Sequence, residues 1–108
     1  MNFYPLSIIT FLVLSFTTVF GAEVNIYSHR QPFLINPFLE KFTEETGIKT
    51  NVVYATKGLA QRLKAEGKNS PADVILTVDI GRLYIYDDLD LLASVNSDIL
   101  DKNIPQNL

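Results

Sequence analysis

EVNIYSHRQPFLI, residues 23–35, decides how this chain folds. In its first half Val24, Ile26 and Ser28 alternate with Asn25 and Tyr27, the two-residue period of a strand with one drier face. In its second half Phe33 and Leu34 open a helical spacing that runs on through Phe38, Leu39 and Phe42. Gly47 ends it, so a helix is predicted over 32–46. Pro32 suits a first helical turn, where its missing N–H is no loss. Asn36-Pro37 leaves two readings open: a kink inside that helix, or a regular part that begins there with Asn36 as its cap. A strand thus hands over to a helix across His29, Arg30 and Gln31.

The alternation repeats downstream. IKTNVVYA (48–55) reads as a second strand, and KGLAQRLKAEG (57–67) as a short amphipathic helix with Leu59, Ala60 and Leu63 inward. After the loop residues Asn69, Ser70 and Pro71 comes DVILTV (73–78), an unbroken apolar run. That pattern fits a strand buried on both faces of a parallel sheet. Asp79 is placed to cap a third helix over 80–89 carrying Leu83, Ile85, Tyr86 and Leu89, with Tyr84 and Tyr86 read as packing residues. The tail reads as a short extended piece, a helical turn near 97–102 and a loop. Strand and helix in strict alternation predict the α/β class with a doubly wound parallel sheet.

The first 22 residues, MNFYPLSIITFLVLSFTTVFGA, hold none of the chain's charged side chains. Their apolar run from Leu6 to Phe20 ends in the small pair Gly21-Ala22, followed by the first charge, Glu23. This order predicts a secretory signal peptide over 1–22, cleaved after Gly21 or Ala22, and a periplasmic mature part over 23–108. No Lys or Arg precedes the run, and the alternative is a retained anchor on a membrane-tethered, non-catalytic module. The net charge of −3, with no basic cluster, argues against nucleic acid or anionic lipid as partner. An exported chain without cysteine must be stable without disulfides.

Parallel sheets bind ligands beyond the carboxyl ends of their strands, which singles out 28–31, 55–58 and 77–80. At the first, Arg30 and Gln31 precede helix N–H groups that lack intrahelical partners, a setting that favours an anion. Arg30 adds a planar donor fork suited to carboxylate, carbonate or phosphate; the alternative is an ordinary surface arginine paired with an acid. His29, the sole histidine, is either a metal or cleft ligand or a hydrogen-bonded structural residue. Lys57 at the second end, and Thr77 and Asp79 at the third, are further candidates to line a cleft. Asp79 serves equally as a plain helix cap. No nucleophile–histidine–acid set, metal spacing or glycine-rich phosphate loop is present, so an enzyme is not expected.

Three blocks, YSHRQPFLI, TGIK and NSPADVILTVDIGRL, resemble the N-terminal segment of bacterial periplasmic ferric-iron-binding proteins, the solute-binding components of iron ABC importers. The likeness runs through nearly all of 23–108 and is weakest over 84–94. It implies a three-layer βαβαβα portion of the first lobe of a type II periplasmic-binding-protein-like fold, incomplete in this chain. It also implies Fe(3+) held in an interlobe cleft with a synergistic anion, an inner-membrane ABC permease as partner, and a monomer. One branch of the family ligates iron with a His-Tyr pair directly after the arginine; here Gln31 and Pro32 stand there. The other branch uses a tyrosine cluster with carbonate bound by the arginine, which Arg30-Gln31 matches. The tyrosine ligands of that branch lie in later segments, and no Tyr-Tyr pair occurs here, so the chain is expected to be a truncated product. A related binding protein for another small anion, such as phosphonate, sulfate or thiamine phosphate, is the alternative within the class.

Overall fold

The computed structural model describes residues 21–107. Most of the expected signal peptide, residues 1–20, lies outside the described residues. From Glu23 the elements follow one another as the periodicity demands: strand β1 (Glu23–Ser28), helix α1 (Pro32–Thr46), strand β2 (Lys49–Tyr54), helix α2 (Leu59–Glu66), strand β3 (Val74–Leu76), helix α3 (Ile80–Asp88) and helix α4 (Asp98–Asn103). A single 3-10 turn, Gly67–Asn69, follows α2. Among the described residues no helix is long and apolar enough to cross a membrane.

The three strands form a parallel sheet in the order β2-β1-β3. The first strand of the chain is therefore the central one. Its side chains alternate between the two faces. Tyr27, 1% exposed, packs with Leu59, Ala60 and Leu63 of α2 and Tyr86 of α3, which form the main core cluster. Ile26 and Ser28 carry the opposite phase, and Ile26 is buried, as is Ile35 of α1.

Helix α1 begins at Pro32 and keeps Pro37 inside it, which resolves the two readings of Asn36-Pro37 in favour of the longer helix. Its buried position is Ile35, and Leu39 and Phe42, spaced from it by four and seven residues, are half-buried. The expected apolar face was set too wide: Phe33 and Phe38 are 73% and 76% exposed, and Leu34 is exposed as well. Gly47 ends the helix in the left-handed region, with φ of 72° and its N–H donated to the Thr43 carbonyl. Only glycine takes that conformation without a Cβ penalty.

Helix α2 buries Leu59, Ala60 and Leu63 as its spacing predicts. A second tie fixes it to β1: the Tyr27 hydroxyl donates to both Glu66 carboxylate oxygens at 2.7 and 2.8 Å. The Arg62 guanidinium lies 4.9 Å from the Tyr27 ring centroid and 3.6 Å from the same carboxylate. Strand β3 is shorter than 73–78 and is not buried on both faces, since Val74 is exposed. It is an outer strand of this three-stranded sheet, with only β1 beside it. In α3, Tyr86 is buried, whereas Tyr84 is 65% exposed and is not a packing residue. Leu83 and Ile85 are exposed too.

Two substitutions test this packing by urea denaturation. Leu63→Ala removes a fully packed side chain and is expected to cost about 2–5 kcal/mol. Gly47→Ala forces a Cβ into the left-handed region and should cost about 1 kcal/mol, with no loss of helix by circular dichroism.

Candidate functional site

Register brings the strand ends together. Ser28 pairs with Tyr54 on one side and with Leu76 on the other, so the turns at 29–31, 55–58 and 77–79 open on one edge of the sheet. The Ser28 side chain is fully buried and shapes the first of these turns. Its hydroxyl accepts from the Arg30 N–H at 3.0 Å and donates to the Arg30 carbonyl at 2.9 Å.

His29 is 8% exposed and joins all three ends. Its backbone N–H donates to the Leu76 carbonyl at 2.9 Å, closing β1 against β3. On the ring, Nδ1 lies 2.9 Å from the Ala55 carbonyl and Nε2 lies 2.6 Å from the Tyr86 hydroxyl. A carbonyl can only accept, so Nδ1 carries the hydrogen. In the neutral ring, Nε2 then accepts from the phenol. Burial raises the Tyr86 phenol above its ordinary 10.0, opposed by the nearby Arg82 cation, and so keeps the donated proton in place.

Lys57 faces the same space. A cavity of about 200 Å³ is lined by His29, Thr56, Lys57, Gly58, Arg82 and Tyr86, among others. Gly58, with φ of 85°, precedes α2 without any side-chain cap, so the first amides of that helix are not held by a neighbouring side chain. Arg82 Nη1 donates to the Thr56 carbonyl at 3.3 Å and ties α3 to the second turn.

Arg30 and Gln31 stand apart from that cavity. Arg30 is exposed at the rim of an apolar groove of about 500 Å³, whose walls include Leu34, Phe38 and Leu76. It has no ion pair among the described residues, where the pairs are Lys41–Glu45 and Arg62–Glu66. Gln31 is the N-cap of α1, in extended conformation and without a side-chain cap bond. Thr77 and Asp79 are engaged locally instead: the Thr77 hydroxyl donates to the Asp79 carbonyl at 3.0 Å, and Asp79 Oδ1 accepts from the Arg82 N–H at 2.8 Å. Asp79 thus acts as the cap of α3.

The geometry gathers His29 and Lys57 around one cavity, sets Arg30 and Gln31 at the adjoining helix start, and folds Thr77 and Asp79 into a cap. Arg82 and Tyr86 were not among the sequence candidates for a site. The signal for them was present, since a capped helix starting at Ile80 puts residues 82 and 86 one turn apart on one face. The described residues contain no group of three histidine, aspartate or glutamate side chains placed to hold a metal ion.

A parallel α/β sheet whose strand ends carry cations and open helix starts is the architecture of one portion of a solute-binding lobe. The relatives bear this out. "Iron uptake protein A1" of a Synechocystis species is 45% identical over 87 residues, which are 80% of this chain and 24% of that protein. The "Fe(3+)-binding periplasmic protein" of Serratia marcescens is 29% identical over 106 residues, 91% of this chain and 31% of that one. Among solved structures, Mannheimia haemolytica ferric iron-binding protein A in an open conformation superposes with a TM-score of 0.75 at 53% identity, covering 79% of this chain and 27% of that one. The Trichodesmium protein solved with iron and citrate gives 0.73 at 40% identity, over 81% and 28%. No protein-family model matches the chain. The chain is a homologue of the periplasmic ferric-binding proteins and spans about a quarter of the length of those relatives. Its fold is a partial domain of theirs, and these relatives are binding proteins rather than enzymes.

The buried phenols generate a pH prediction. Burial raises Tyr86, and burial together with the Glu66 hydrogen bond raises Tyr27, while both ionise near 10.0 in the unfolded chain. A raised folded-state value makes the folded chain hold its proton longer. Their contribution to stability is therefore complete below pH 10 and is lost as pH climbs above it. The thermal midpoint, followed from pH 8 upward, should fall steeply past 10, and Tyr27→Phe should flatten the fall.

Proposed function

We propose that the chain is the N-terminal part of a periplasmic ferric-iron-binding subunit of an ABC importer. Residues 1–22 export it, and residues 23–108 supply the opening portion of the first lobe. Arg30 and Gln31 bind the synergistic carbonate. The observation that carries this reading is Arg30 itself, exposed, free of ion pairs among the described residues, and next to a helix start that no side chain caps. A guanidinium fork and adjacent helix amides hold a planar dianion with directed donors.

Ferric iron is the cargo. It is a hard cation that prefers oxygen donors, and phenolates with a bidentate carbonate supply them. This chain brings the anion side of that arrangement, with the tyrosines coming from later segments. His29 and Lys57 line the neighbouring part of the cleft, and Thr77 and Asp79 hold its third corner. Closure of two lobes over the ion would then present one surface to an inner-membrane permease. The protein works as a monomer without a catalytic step, and nothing in its charge suits nucleic acid.

Reading the gene in frame past the Leu108 codon tests the assignment first. A continuation carrying adjacent tyrosines supports it, and a continuation without a second lobe refutes it. In the complete protein, Arg30→Ala should weaken bicarbonate-dependent ferric binding by about tenfold or more, the scale of a lost hydrogen bond to a charged group. Unchanged affinity in a competition titration with a chelator would remove Arg30 from the site.

A further inference from the structure

Arg30 and Gln31 sit in the turn that begins at His29, yet His29 and Arg30 line different cavities. Arg30 borders the groove beside α1, whereas the His29 ring is buried in the cavity between α2 and α3. The ring reaches the second strand end through Ala55 and the third helix through Tyr86, and its backbone N–H holds β3. We infer that His29, locked as the Nδ1–H tautomer between the Ala55 carbonyl and the Tyr86 hydroxyl, is a positioning residue for the anion-binding turn at Arg30 and Gln31. The inference rests on the anion role proposed for those two residues.

The physical case is one of directed, non-interchangeable bonds. The Ala55 carbonyl accepts and the buried phenol donates, so only one neutral tautomer satisfies both. Both partners are at least nine-tenths buried, at 8% and 1% exposure for His29 and Tyr86, and no buried side-chain polar atom among the described residues lacks a partner. A buried donor left without its acceptor is costly, so the ring cannot turn without breaking the set. The charged groups lining its cavity are Lys57 and Arg82, both cations, so no carboxylate there offers the ring an alternative partner. The Ser28 hydroxyl clasps both the N–H and the carbonyl of Arg30 across His29, so the residue between them, held by its ring, sets where that clasped turn sits. The direction in which the Arg30 side chain leaves the turn follows from that clasp.

The test uses the full 108-residue chain. Nitrogen-15 shifts of the His29 ring are expected to show a protonated Nδ1 and an accepting Nε2; an Nε2–H tautomer would overturn the inference. Bicarbonate affinity, followed by the Arg30 amide signal, is then measured for Tyr86→Phe, His29→Asn and His29→Leu. Asparagine keeps a donor for Ala55, so it should retain more affinity than leucine. Tyr86→Phe should lose about fivefold, the size of one neutral hydrogen bond. In an Arg30→Ala background each of these losses should vanish; equal losses in both backgrounds would mean a general structural effect and reject the positioning role. The proposed function is decided separately by ferric binding in the complete protein; if the parent chain alone binds no bicarbonate, the Arg30 amide shift decides the positioning role. Displacement of that signal in Tyr86→Phe supports the positioning role, and an unmoved signal rejects it.

Discussion

At the carboxyl end of β1 one residue uses its backbone N–H and both ring nitrogens on three different segments. The backbone N–H of His29 goes to Leu76, Nδ1 to Ala55 and Nε2 to Tyr86. Parallel strands cannot be joined by a tight hairpin, so their ends are fixed only by what bridges them across long stretches of chain. Here His29 is one such bridge, its ring reaching Ala55 and Tyr86 and its backbone N–H reaching Leu76. Without it, the register of β1 would still align the three ends, but the turns beyond Ser28 and Tyr54 and the last turns of α3 would lack this shared anchor. The cavity at 57–58 and the helix start at Arg30 both depend on that anchor.

Function in this corner is divided between two sides of one turn. His29 belongs to the interior and has its bonds satisfied. Arg30, one residue later, is in solvent without an ion pair among the described residues. A neutral, buried residue does the holding, and a charged, exposed one is left free for a ligand. Desolvation makes this arrangement sensible, because an arginine in the buried position would need a counter-ion that no wall of the cavity offers.

Element order, the inward face of α2, the glycine stop of α1 and the aspartate cap of α3 were all legible in the sequence. Each depends on residues within a turn or two of one another. The bond between His29 and Tyr86 was not legible, since its partners are 57 residues apart and nothing local in either segment encodes it. Nor was the exposure of Phe33, Phe38 and Val74. An apolar stripe states that a face can be buried, and only the tertiary arrangement says whether something lies over it. DVILTV has the composition of a strand covered on both sides, yet it forms a short outer strand beside β1 alone. Arg82 was passed over because its role comes from reaching the Thr56 carbonyl, a contact made across the sheet edge.

The strand order also carries a consequence for how the chain assembles. The central strand is the first to be synthesised, and both of its neighbours come later, β2 ending at Tyr54 and β3 at Leu76. No strand pairing can begin until β2 has emerged, and the sheet cannot close before β3 follows. Every ladder therefore needs a closed loop that contains a whole helix, and loops of that length make pairing slow relative to local helix formation. A chain leaving the ribosome amino end first thus holds its central strand unpaired for longest, while both flanking strands are still to come.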